Sequence, residues 1–226
     1  MIKFYFHQTP NPRKVALFLE EAGLPYEVVP VDILKGEQHR PEFRAINPNG
    51  KVPAIVDDGA VVFDSSAILL HLAEKTGQFL GAPGDRPALL SWLMFVASGL
   101  GPFSGQAAHF NRVHTESPYP ANRYRRELER HYNVLDGRLG RQAYLVGDSY
   151  TIVDMAAWGW VDRASFNLNE DAPLDRWPDL KRWFGTVDSR PAAARVRLVG
   201  RDAGFKTEFD EETLRALFPQ NFPKAG

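Results

Sequence analysis

The sequence predicts an α/β unit on a mixed four-stranded sheet, followed by an all-α unit. Three observations predict it. Across residues 1–80, short apolar runs alternate with helical periodicity in the order strand, helix, strand, helix, strand, strand, helix, which is the pattern of a small sheet covered by helices. Residues 81–87, Gly81-Ala82-Pro83-Gly84-Asp85-Arg86-Pro87, are dense in residues that interrupt regular structure and read as a linker. Over residues 88–226 helical patterns continue and no convincing strand recurs.

Ile2 to Phe6 reads as a short buried strand, and residues 12–22 as a helix with Val15, Phe18, Leu19 and Ala22 on one stripe. Gly23 ends that helix, with Pro25 close behind. Tyr26 to Val31 is a second strand, and Pro41 opens a short helix over 41–46. Pro53 to Val56 and Ala60 to Phe63 flank Asp57-Asp58-Gly59 as a hairpin. Ser65 to Lys75 is the third helix, stopped by Gly77. Beyond the linker, Leu89, Leu93, Val96 and Leu100 fit a long helix that Gly99, Gly101 and Pro102 should kink. A charge-rich helix spans 121–139, and Thr151-Ile152-Val153-Asp154 reads as a capping box opening a buried helix to about Phe166. Shorter helices are expected over 178–188 and 191–199, and a weak one near Glu211 to Leu217. The tail from Arg201 covers the cleft, packs on a partner subunit or is loose; the sequence leaves these open.

The chain has 226 residues, 44% hydrophobic and 24% charged, with a formal net charge of −1. That balance gives no electrostatic case for a nucleic acid or an anionic membrane. No apolar run approaches a membrane span, and no charged leader precedes the first strand, so the expected location is cytoplasmic. There is no cysteine, which excludes disulfides, thiolate metal sites and a protein thiol nucleophile. The six histidines form no compact metal pattern, and on a continuous helix His109 and His114 would face different ways. No metal is expected.

The most informative stretch runs from Asn47 to Val56 and on to Ile68. It reads as a tight turn, a proline and a strand, then a strand that passes directly into a helix with Asp64 and Ser65 at the junction. Unpaired N–H groups and partial positive charge at a helix start suit the acidic end of a small zwitterionic peptide.

Lys51-Val52-Pro53-Ala54-Ile55, Asp64-Ser65-Ser66-Ala67-Ile68-Leu69 and the capping box together resemble the glutathione transferase family, over the chain to around Gly200. Gln8-Thr9-Pro10-Asn11-Pro12-Arg13-Lys14 and Leu100-Gly101-Pro102-Phe103-Ser104-Gly105-Gln106 are similar to its bacterial Nu class and Ure2p-like relatives, often glutathione-dependent disulfide-bond oxidoreductases. The resemblance implies a thioredoxin-like domain over 1–80, an all-helical domain with a tail over 88–226, a homodimer, and glutathione as co-substrate. It implies a cis bond before Pro53 that exposes the backbone of Val52 to the cysteinyl unit, with Lys51 and Pro53 also among the glutathione-binding residues. Asp64 would face the γ-glutamyl ammonium group and Ser65 would bind its carboxylate. Thr9 and Asn11 would meet the sulfur, Gln38 the ligand's backbone or glycyl end, and Arg123 would reach across the dimer. Tyr5 is structural in this reading, and His7 is a weaker candidate for the site. Phe103, His109, Trp158 and Trp160 are candidates for an electrophile pocket, with no role assigned.

The expected activity is disulfide reduction by a stabilised glutathione thiolate, both thiols being borne by substrates. Two alternatives stand beside it. One is transfer of glutathione to small electrophiles, or hydroperoxide reduction; the other is a non-catalytic glutathione-binding or regulatory module.

Overall fold

The computed structural model describes residues 1–222. Strand β1 (Ile2–Phe6) alternates in burial, with Ile2, Phe4 and Phe6 inward, as a half-buried strand should. It pairs in parallel with β2 (Tyr26–Pro30) and antiparallel with β3 (Ala54–Asp57), and β3 pairs antiparallel with β4 (Ala60–Phe63). The sheet order is β2-β1-β3-β4. Strand β3 starts at Ala54 rather than Pro53; proline has no N–H to give the ladder.

Helix α1 (Pro10–Ala22) begins two residues before the expected start, with Thr9 as N-cap and Pro10 in the first turn, where the missing N–H costs nothing. A short α2 (Pro41–Ile46) precedes the β3–β4 hairpin, and α3 (Ser65–Thr76) follows it. The expected linker holds a 3-10 turn, Pro83–Asp85, and the first residues of α4 (Arg86–Phe95).

The predicted kink is a π-helical turn, Val96–Leu100, leading into α5 (Gly101–Arg112). Pro102 cannot donate to the carbonyl four residues back, and its ring crowds that carbonyl; a widened turn accommodates both. The helix from Pro83 to Arg112 is 30 residues long and, by length and composition, apolar enough to cross a membrane. That corrects the expectation that no segment approaches a span. Its Leu89, Leu93, Val96 and Leu100 are buried in the chain's own core.

Helix α6 (Pro118–Leu139) is followed by α7 (Ile152–Val161). The helix expected to reach Phe166 breaks at Val161 and restarts as α8 (Ala164–Leu168). Asp162, at the break, accepts from Arg13 (2.6 Å) and Arg197 (3.0 Å). Helices α9 (Pro178–Asp188), α10 (Pro191–Val196) and α11 (Glu211–Leu217) complete the chain; α10 is three residues shorter than expected. Helix α5 ends at Arg112, so His114 lies beyond it and its ring stacks on His109 with centroids 6.4 Å apart. The two imidazoles are therefore neighbours, not on opposed faces as a continuous helix would place them.

The capping box forms as expected. Thr151 Oγ1 accepts from the N–H of Val153, and Asp154 Oδ2 accepts from the N–H of Thr151 at 2.9 Å. Asp154 Oδ1 also accepts from Leu145 N–H (3.0 Å) and Trp183 Nε1 (2.8 Å), so one carboxylate ties α7 to α9 and to the preceding loop.

Helix α1 joins the two units by packing on α3, α7 and α10. At the α1–α7 contact a Cβ on Gly159 would fall 2.8 Å from the Pro10 carbonyl oxygen. Glu20 and Glu21 of α1 pair with Arg195 and Arg190 across the same junction. The tail returns to the sheet unit. Lys206 N–H donates to Asp32 (2.8 Å), α11 packs on the turn Ile33–Lys35, and Phe205 meets the His7 ring at 4.4 Å. Over residues 201–222 the tail is therefore not loose but packs on the sheet unit of its own chain, an arrangement outside the three expected; residues 223–226 lie outside the described residues.

Candidate functional site

A cavity of about 320 Å³ opens between the two units. The turn before β3 supplies Asn47, Asn49, Lys51, Val52 and Pro53, and the start of α3 supplies Asp64, Ser65 and Ser66. Asn11 and Lys14 line it from α1; Val96, Gly101, Pro102 and Gln106 wall the other side with Trp160.

Asn47 builds the turn. Buried to 2% exposure, it donates from Nδ2 to the Lys51 carbonyl (2.6 Å), and its Oδ1 accepts from Asn49 N–H (3.0 Å). The Val52–Pro53 peptide bond is cis, as the resemblance implies.

At the head of α3, Asp64 sits at φ 71°, ψ 127°, a conformation unfavourable to a residue with a side chain and characteristic of functional positions. Its Oδ1 accepts from the N–H groups of Ser66 (2.8 Å) and Ala67 (3.2 Å). Those two donors are spent on the cap, so the Ser65 N–H is the first-turn donor left to a ligand. The Ser65 hydroxyl donates to Asn11 Oδ1 (3.2 Å).

Lys14 was not singled out by the sequence reading. Its side chain is 1% exposed, and Nζ lies 2.7 Å from Asn11 Oδ1 and 3.4 Å from Ser65 Oγ. Nζ also sits over the Trp160 ring, 5.2 Å from its centroid, a cation–π placement. Burial, partly offset by Asp64, pulls the amine down to about 7. One signal was present: Lys14 is four residues before Phe18 and three after Asn11, so it falls on the buried stripe of α1.

Of the expected ligand residues, Asn11, Lys51, Val52, Pro53, Asp64 and Ser65 meet around this cavity, and three do not line it. Thr9 is the N-cap of α1 and its hydroxyl makes no cap bond. Gln38 is buried and its Nε2 donates to the Ala216 carbonyl of the tail (3.1 Å). Arg123 is exposed on α6 and pairs with Glu127. Among the aromatic candidates only Trp160 lines the cavity. Trp158 is core and donates to Asp188; Phe103 packs on His131; His109 packs on Phe218 of the tail. Tyr5 packs on Phe43, a structural role. No group of three or more metal-ligating side chains occurs among the described residues.

Residues 9–75 match the family model for the glutathione S-transferase N-terminal domain, and residues 106–191 that for its C-terminal domain. The chain belongs to the glutathione S-transferase family. Within it, the chain is 45% identical over 207 residues to the disulfide-bond oxidoreductase YfcG of Escherichia coli, covering 88% of this chain and 95% of that protein. YghU of the same organism, also named a disulfide-bond oxidoreductase, is 36% identical over 222 residues, covering 90% and 76%. A Pseudomonas fluorescens glutathione transferase family member, solved with two glutathione molecules bound, superposes with a TM-score of 0.82 at 37% identity, covering 86% of this chain and 91% of that one. The transferase URE2P8 of Phanerochaete chrysosporium, solved with oxidized glutathione, gives 0.83 at 33% identity, covering 89% and 96%.

Proposed function

We propose that this glutathione S-transferase reduces disulfides with glutathione bound in the cavity between its two units. One observation carries the reading. The cavity's polar lining includes a helix start, the Asn11 amide and a buried amine, in a chain with no cysteine. Every reacting sulfur must therefore arrive with a substrate.

In this reading the γ-glutamyl carboxylate accepts from the Ser65 N–H and hydroxyl. Its ammonium group faces Asp64, whose capping bonds both fall on Oδ1. The backbone of Val52 pairs with the cysteinyl unit, beside the turn that Asn47 fixes. The Ser65 hydroxyl turns from Asn11 to the carboxylate, and Lys14 alone holds Asn11 Oδ1, which turns its amide N–H groups towards the ligand sulfur, with the start of α1 behind them. Lowering a thiol from about 8.5 by roughly two units requires about 2.7 kcal/mol of preference for the thiolate. One or two hydrogen bonds to a charged group supply that.

The thiolate attacks one sulfur of the disulfide; that S–S bond breaks, and the departing thiolate takes a proton. A second glutathione thiolate then attacks the glutathione sulfur of the mixed disulfide. It releases the second substrate thiol and leaves glutathione disulfide, so two glutathiones supply the two electrons.

The assay is 2-hydroxyethyl disulfide with glutathione, and turnover well above uncatalysed exchange is expected. A rate equal to the uncatalysed one removes the proposal. A second reading delivers the same thiolate to organic electrophiles or hydroperoxides, favoured by the apolar wall of Val96, Pro102 and Trp160; 1-chloro-2,4-dinitrobenzene and cumene hydroperoxide separate these. The proposed assembly is a homodimer with Arg123 directed to the partner's site, and a solution mass of one chain by light scattering would end that part.

A further inference from the structure

The buried amine of Lys14 has hydrogen-bond partners in Asn11 and Ser65, both neutral, and no carboxylate within ion-pair distance among the described residues. Burying an ammonium group without a counter-ion is costly, yet this one lines the cavity, beside the serine that heads α3. We propose that the counter-ion of Lys14 is the ligand itself, the γ-glutamyl carboxylate seated on Ser65, and that Lys14 takes up a proton from solvent when that carboxylate arrives. The proposal rests on the glutathione reading above and adds to it a residue and a proton.

The surroundings favour it. From α3, Asp64 is the charge that acts on Lys14. From α7, Gly159 and Trp160 face it, while Asp162 is committed to Arg13 and Arg197. The cavity-lining residues from Val96 to Gln106 carry no charge, and Lys51 enters the cavity from the exposed turn before β3. With the cavity free of anion, burial holds the amine at about 7. A carboxylate at ion-pair distance raises it by roughly two units. Above neutral pH the free protein is then mostly neutral at Lys14 and the complex mostly charged. Binding consumes a proton, so affinity falls as pH rises from 7 towards 9.

The test uses S-methylglutathione, which has no thiol proton to confuse the count. Calorimetry in two buffers of different ionisation enthalpy should give uptake of about 0.8 proton per ligand at pH 8 and about 0.1 at pH 6. In Lys14→Met the pH 8 uptake should vanish and the pH dependence of affinity should flatten. Binding by the wild type without uptake at pH 8 overturns this proposal and leaves the glutathione site standing. Uptake seen with glutathione but not with its S-methyl form also overturns it, because the counter-ion would then be the sulfur. No binding of either ligand fails the functional reading itself. Should the Met variant not fold, the wild-type comparison at the two pH values decides alone.

Discussion

Asp154→Ala is expected to cost at least ~3 kcal/mol of stability, enough to leave the helical unit substantially unfolded at physiological temperature. The carboxylate is fully buried and receives the N–H groups of Leu145 and Thr151, the Thr151 hydroxyl and the Trp183 indole. Alanine leaves those donors without acceptors in a site closed to water, and each costs about 1–3 kcal/mol. Burial outweighs the donors and pushes the Asp154 carboxyl up to about 6. A carboxyl raised above its unfolded value stabilises the fold below pH 4, and that contribution is lost as pH rises through 6. Asp154→Asn keeps an acceptor but cannot titrate. It should show an intermediate loss and lack the decline that the wild type shows between pH 4 and 6. Urea unfolding read by tryptophan fluorescence checks both; an alanine variant within about 1 kcal/mol of wild type would show that the box is dispensable.

Ser65→Ala should raise the dissociation constant for glutathione by about 10- to 150-fold, the loss of a charge-assisted hydrogen bond worth roughly 1.5–3 kcal/mol. The fold should tolerate the change, because Asp64 caps α3 and the Ser65 hydroxyl bonds only within the site. Calorimetry gives the constant directly, and an unchanged value would contradict the placement of the carboxylate.

Much of this was legible from local chemistry. The Asp64-Ser65 helix start and the Lys51-Val52-Pro53 turn are set by residues next to one another, so their pattern survives in the sequence. The capping box is local too, although its bonds to Leu145 and Trp183 are not. What escaped depends on distant contacts. Helix α7 is buried on nearly every side, so its apolar run carried no period to mark where it stops. Its end is fixed by Asp162 meeting Arg13, 149 positions away. Lys14 carries no local mark of its role, because its neutral pocket takes Ser65 from α3 and Trp160 from α7. The bond from the Gln38 amide to the Ala216 carbonyl of the tail spans 178 positions and leaves no local pattern. Trp160 and Trp158 share one helix, and only the packing of α7 on α1 decides which of them faces the cavity.

The account turns on whether the protein stabilises a borrowed thiolate, and the ionisation of bound glutathione measures that directly. Titrating the saturated complex while following the ultraviolet thiolate band should give an apparent thiol value about two units below the free value of about 8.5. A bound thiol that titrates where the free one does would contradict the account.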